Sequence, residues 1–123
     1  MGQFYDNPDR THLHINIAVT TTAANLLEGI IGPRGKVGRV RRLEAAVTTV
    51  YVGTDTIVLD TVTPSITLPP TLAITGADNL VVRATEAALD GFGDLPADSP
   101  LELATDGLST SGVASITIVI DWY

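Results

Sequence analysis

The sequence predicts an all-β domain: an antiparallel β-sandwich, jelly-roll-like, with about eight short strands and an extended N-terminal arm. Three observations carry this. Residues Val113 to Tyr123 alternate strictly, with Ile116, Ile118, Ile120 and Trp122 on one side and Ser115, Thr117, Val119, Asp121 and Tyr123 on the other. A period of two is the signature of a strand with one dry and one wetter face. Residues Thr11 to Thr21 repeat the pattern, with Leu13, Ile15, Ile17 and Val19 opposite His12, His14, Asn16, Ala18 and Thr20. Val, Ile, Leu, Thr and Ala carry the bulk between frequent Gly, Pro and Asp turn signals, and the chain has only one lysine and one methionine. That composition suits strands and leaves no material for the crossover helices of a parallel α/β fold.

Residues 1–10 are polar and contain Asn7-Pro8-Asp9, a turn or extended signal, so they read as an arm in which Phe4 and Tyr5 are the anchors. Residues 11–123 then form one sandwich domain, long enough to bury a core without cross-links. The first strand and the last share one pattern, and first and last strands often share a sheet in sandwiches, so the two are expected to pair. Thr22 to Ile31 is ambiguous. The i,i+4 pairs Leu26/Ile30 and Leu27/Ile31 suit a short helix stopped by Gly32-Pro33, whereas Gly29 argues for a loop followed by a strand. Gly32 to Gly38 is a glycine-rich turn. It feeds a strand in which Arg39 and Arg41 flank Val40 and share a face.

Val47 to Val52, Gly53-Thr54-Asp55 and Thr56 to Val62 read as a hairpin. Thr63-Pro64 and Pro69-Pro70 bracket a segment that suits an edge or a crossover between sheets. Short strands follow at Thr71 to Thr75, Leu80 to Thr85 and Leu101 to Ala104. Glu86 to Pro100 is a long acidic loop that opens with a possible helical turn.

The net charge of −7 is unevenly placed. Up to Arg42 six basic residues face Asp6, Asp9 and Glu28; from Leu43 onward Arg83 alone faces eleven acids. A chain polarised in this way is suited to pairing with copies of itself or with a partner of complementary field. The N-terminus has no apolar h-region and no run approaches membrane-spanning length, so a protein made in the cytoplasm, with no membrane partner, is expected.

Chemistry is hard to find. Gly35-Lys36 is followed by Val37, and the position five before Gly35 is Ile30, so the P-loop pattern fails twice. His12 and His14 share a strand face at a spacing that suits a metal, but no third ligand is tied to them by pattern. Asp90, Asp94 and Asp98 lie in a loop that does not follow the EF-hand pattern. There is no Gly-x-Ser-x-Gly elbow and no cysteine. No enzyme activity and no cofactor are expected. The strongest positive feature is the basic segment Arg34, Lys36, Arg39, Arg41 and Arg42. Without interleaved aromatics it does not suit nucleic acid, and it fits carboxylates on a protein partner better.

The strand VASITIVIDWY and the segment GKVGRVRRL followed by the expected Thr/Val hairpin resemble small virion proteins of tailed bacteriophages, the capsid decoration (cement) or head-fibre type. The resemblance implies a non-enzymatic β-sandwich on the outer surface of an assembled capsid, stabilising capsomer junctions. Its implied partners are the major capsid protein and copies of itself, most often as a trimer. The arm (Phe4, Tyr5) and the basic segment are then the contact regions. The alternative expectation is a tail-associated or carbohydrate-binding sandwich, which needs exposed aromatics or a calcium-assisted acidic loop.

Overall fold

The computed structural model describes residues 9–18, 24–61 and 65–123, with the side chains of residues 16–18 and 24 left aside. Two antiparallel four-stranded sheets face each other. The first holds β1 (Asp9–Ala18), β8 (Ser111–Trp122), β3 (Gly38–Val52) and β6 (Val81–Arg83), in that order. The second holds β2 (Ala24–Ile30), β7 (Leu101–Thr105), β4 (Asp55–Thr61) and β5 (Thr71–Ile74). Strand β1 pairs with β8, β2 with β7, β3 with β6 and β4 with β5, as if one long hairpin had been rolled up. Further pairs, β3 with β8 and β4 with β7, complete each sheet. This is the antiparallel β-sandwich that the alternation predicts, and its strand order is compatible with a jelly roll.

The last strand organises the core. Ala114, Ile116, Ile118 and Ile120 are fully buried and Trp122 nearly so. Opposite them stand Ile57 and Leu59 of β4, Leu72 and Ile74 of β5, and Leu101 and Leu103 of β7. Each such side chain contributes roughly 1.5–3 kcal/mol on burial, so these two rows dominate the stability of the domain. The Trp122 indole lies against the glycine turn. A Cβ on Gly32 would stand 2.5 Å from its ring, and one on Gly38 would stand 2.7 Å away. The Trp122 Nε1 donates to Thr11 Oγ1 at 3.0 Å, which ties β8 to β1.

Several expectations change. The ambiguous stretch before Gly32 is strand β2, not helix: it pairs with β7, and Leu26, Leu27 and Ile30 pack partly buried against the core. The first strand begins at Asp9, two residues before the expected arm boundary, because Asp9 and Arg10 pair with Trp122 and Asp121. Phe4 and Tyr5 lie outside the described residues.

The predicted hairpin between β3 and β4 does not form. The two strands belong to different sheets, and the chain crosses between them at Gly53-Thr54. Tyr51 at the end of β3 and Asp55 and Ile57 of β4 all point inward, so the strands face each other across the core. Gly53, at φ +93°, takes the left-handed conformation that the crossing needs.

The expected helical turn is α1 (Glu86–Gly91), capped by Thr85 Oγ1, which accepts from the Ala88 N–H at 3.1 Å. The loop after it is stitched to β3 by two backbone hydrogen bonds between Gly38 and Leu95.

Candidate functional site

The two charged features of the sequence meet at one end of the sandwich. The basic turn and the start of β3 pack against the acidic loop after α1. Asp98 Oδ1 accepts from the Gly35 N–H at 2.9 Å, and Arg39 reaches Asp94 Oδ1 at 3.4 Å. Beside them Val37 and Tyr123 exchange both backbone hydrogen bonds, at 3.0 and 2.9 Å. The result is an open cleft of about 590 Å³ lined by Val37, Gly38, Arg39, Arg41, Asp94 and Tyr123.

Local sequence explains which arginines enter it. Alternation along β3 sends Val40 inward and Arg39 and Arg41 outward. A register shift between Val40 and Arg42 then exposes Arg42 as well. Arg42 is turned to a separate hollow, where it donates to Glu44 Oε1 at 2.6 Å while Arg83 reaches Glu44 Oε2 at 3.1 Å. The basic segment is therefore not one continuous strip. Lys36 reaches across to Asp9 at 2.6 Å. Arg34 is exposed on the turn.

The centre of charge is Asp121, which the sequence places on a wet face but which is buried. Arg10 holds both of its oxygens, at 2.6 and 2.9 Å. Arg41 stands 3.3 Å from Oδ2 and donates to the Tyr123 hydroxyl at 2.5 Å. The Arg10 hydrogen bonds, with the Arg41 charge added, hold the Asp121 carboxyl below its usual range against the opposing effect of burial. Burial pushes Glu44 upward, but the hydrogen bonds from Arg42 and Arg83 outweigh it and its pKa is lowered.

The polarity of the sequence becomes a polarity of the sheets. The strands of the β1 sheet carry Arg10, Arg39, Arg41, Arg42 and Arg83 against Asp9, Glu44 and Asp121. The strands of the β2 sheet carry Glu28, Asp55, Asp60 and Glu102 and no basic residue.

His12 and His14 are exposed on the outer face of β1, and His14 Nδ1 lies 2.8 Å from Thr117 Oγ1. Among the described residues no group of three or more His, Cys, Asp or Glu side chains is placed to hold a metal. The cleft can do one thing well. Its guanidinium groups present planar forks suited to a carboxylate, beside an apolar edge formed by Val37 and Tyr123. The Arg39–Asp94 pair is long and about half exposed on both sides. Such pairs are worth about 0–1 kcal/mol, so an incoming carboxylate displaces Asp94 at little cost.

Reasoning from sequence found Arg39 and Arg41 and missed Asp94 and Tyr123, because no spacing rule brings residues this far apart together; Val37, two residues before Arg39, read as part of the glycine-rich turn. Comparison with protein-family models, curated proteins and solved structures finds no match to the chain.

Proposed function

We propose that the protein is a non-enzymatic virion structural protein that docks on the outer surface of an assembled phage capsid. The observation that carries the docking chemistry is the cleft, where Arg39, held by one long and half-exposed pair to Asp94, lies beside Arg41, Val37 and Tyr123. The capsid as target comes from the resemblance to decoration proteins, and the jelly-roll-like sandwich suits it. In this reading carboxylates of the major capsid protein enter the cleft at capsomer junctions, and the protein sits there as a homo-oligomer. Binding the assembled state in preference to free subunits stabilises the shell by mass action, by about 2.7 kcal/mol per site at a hundredfold excess over Kd. No catalytic step and no cofactor are invoked.

A carbohydrate-binding role needs a platform of exposed aromatic rings. Tyr51 and Trp122 are buried and Phe92 is half-buried, which leaves Tyr123 as the exposed ring among the described aromatics. The capsid reading is therefore preferred.

The test is co-sedimentation of the purified protein with undecorated, expanded phage capsids, with capsid melting as a second readout. Saturable binding that raises the melting temperature is expected, with loss of both effects in the folded Arg39→Glu variant. Absence of binding by the folded wild-type protein, together with binding to a glycan array, would replace this reading with the carbohydrate one.

A further inference from the structure

The two hollows beside β3 share a wall. Arg41 lines the cleft with Arg39, Asp94 and Tyr123, and it also lines the second hollow, of about 420 Å³, with Arg42, Glu44, Arg83 and Glu86. The register shift between Val40 and Arg42 is the cause. It leaves Arg41 and Arg42 exposed in succession, so the row of guanidinium groups runs on from the cleft into the hollow. On β6, Arg83 is paired with Glu44 across the ladder and extends the row by one strand. Glu44 fixes this end. Its side chain is largely enclosed, and its two oxygens accept separately from Arg42, at 2.6 Å, and from Arg83, at 3.1 Å. Among the described residues each of these arginines is held there through one nitrogen, and each side chain is more than half exposed, at 56% and 67%. A guanidinium carries five N–H donors in a planar fork, so most of them remain turned outward.

We infer that the cleft and the hollow form one groove, that its occupant is an extended acidic segment of a protein partner, and that Arg83, seated by Glu44, is a further binding residue. The inference rests on the carboxylate docking proposed above and adds the form of the partner. Charge complementarity selects the occupant. Arg39, Arg41, Arg42 and Arg83 are all exposed along one row. From Arg39 to Glu44 an extended strand rises about 15–17 Å, which a partner segment of about five residues spans. Glu86 of α1 and Asp94 of the loop after it also line the groove, so an occupant acidic on every side is disfavoured. An extended segment avoids this, because alternate side chains point to opposite sides. Carboxylates at its first, third and fifth positions meet the arginine row, while the residues between them face away. Joining the carboxylates in one chain makes the second and third contacts intramolecular, so the segment binds more tightly than separate carboxylates do.

The experiment is titration of the full chain with the end-capped peptide Glu-Ser-Glu-Ser-Glu, followed by backbone amide NMR shifts. Capped glutamate alone and the rearranged peptide Ser-Ser-Glu-Glu-Glu are the comparisons. The expected result is one peptide per chain, with saturable shifts along β3 from Arg39 to Glu44 and on β6 at Arg83. Its affinity is expected to exceed that of capped glutamate by about tenfold or more, and that of the rearranged peptide by several-fold. Arg83→Ala changes an exposed position and is expected to weaken the alternating peptide about fivefold, with the circular dichroism spectrum unchanged. No binding of that peptide, equal affinity for the two peptides, or an affinity that Arg83→Ala leaves unchanged would overturn the inference. So would tighter binding of an oligothymidylate of equal charge, since the groove would then take phosphates. The capsid reading is separated by sedimentation. Capsids that bind wild type and Arg83→Ala equally well sink the groove and leave that reading standing. A chain that takes the alternating peptide as expected but that no capsid captures does the reverse.

Discussion

Arg10 donates two hydrogen bonds to Asp121, at 2.6 and 2.9 Å, and so clamps the first strand of the sandwich to the last. The two residues are directly paired in the β1–β8 ladder, and their side chains meet on the outer face. The carboxylate is almost fully enclosed while the guanidinium is about half exposed. The anion is therefore the vulnerable partner: removing its donors strands a buried charge, whereas removing the carboxylate leaves arginines that water still reaches.

Asp121→Asn is expected to lower stability by about 2 kcal/mol, the scale of hydrogen bonds made to a charged group, as read from urea denaturation. The pH dependence has a definite sign. The folded-state pKa of Asp121 is depressed by Arg10 first and Arg41 second, so the stabilisation is fully present above the ordinary carboxylate value of about 4. It is lost as pH falls through the lower folded value. The Asp121→Asn variant is expected to lose part of this acid dependence, and an unchanged acid limb would show that the clamp contributes nothing.

Gly32→Ala isolates the packing of the Trp122 indole. The backbone at Gly32 is not left-handed, so the substitution acts by volume alone, placing a methyl 2.5 Å from the ring. Over-packing of this kind costs typically about 1–3 kcal/mol. A matching fall in the urea midpoint and a red shift of Trp122 fluorescence are expected. An unshifted spectrum at full stability would mean that the turn does not seat the indole.

Tyr51 offers a test in alkali. Its hydroxyl is buried with no hydrogen-bond partner among the described residues. Burial chiefly, and the Asp55 charge next, push its pKa up to about 12. A raised folded-state value favours the neutral phenol, so stability is unaffected below the unfolded value of about 10 and declines as pH rises from there towards 12. Tyr51→Phe removes an unpaired polar atom and is expected to be neutral or slightly stabilising at pH 7, within about 1 kcal/mol of wild type. It is also expected to flatten the alkaline decline. A clear loss of stability at pH 7 would instead place a bridging water at this hydroxyl.

What was legible in the sequence follows the range of each physical signal. Alternation of Ile116, Ile118, Ile120 and Trp122 against polar neighbours is local, and it identified the strand, its dry face and its kinship with β1. The same alternation in β3 and β4 does not say which sheet each strand joins. Gly53-Thr54 suits a hairpin turn and a crossing equally well, and the decision rests with distant partners: β8 for β3, and β7 and β5 for β4. The wet face of the last strand failed for a related reason. Val119 and Asp121 are both buried, Asp121 with Arg10 and Arg41 on its carboxylate, and no window of contiguous sequence contains those arginines together with it. The register shift beside Arg42 splits what reads as a single basic strip into two sites.

Arg39 and Arg41 are neighbours in the cleft with different obligations, and that difference separates binding from folding. Arg41 is committed to the fold through Asp121 and the Tyr123 hydroxyl. Among the described residues Arg39 has only the long, exposed contact to Asp94, worth about 0–1 kcal/mol. Arg39→Ala is therefore expected to leave the melting temperature within about a degree or two of wild type and to weaken binding to a carboxylate-rich surface. Arg41→Ala is expected to lose both stability and binding. Asp94→Asn removes the internal competitor for Arg39 and is expected to tighten binding. Raising the salt concentration screens the contact, so wild-type affinity is expected to fall with salt more steeply than that of Arg39→Ala. Titration of the three variants against undecorated capsids, or against a polyglutamate peptide as a simpler probe, measures each effect. If Asp94→Asn weakens binding while the fold is intact, then Asp94 itself faces the partner, and the cleft recognises a cation instead.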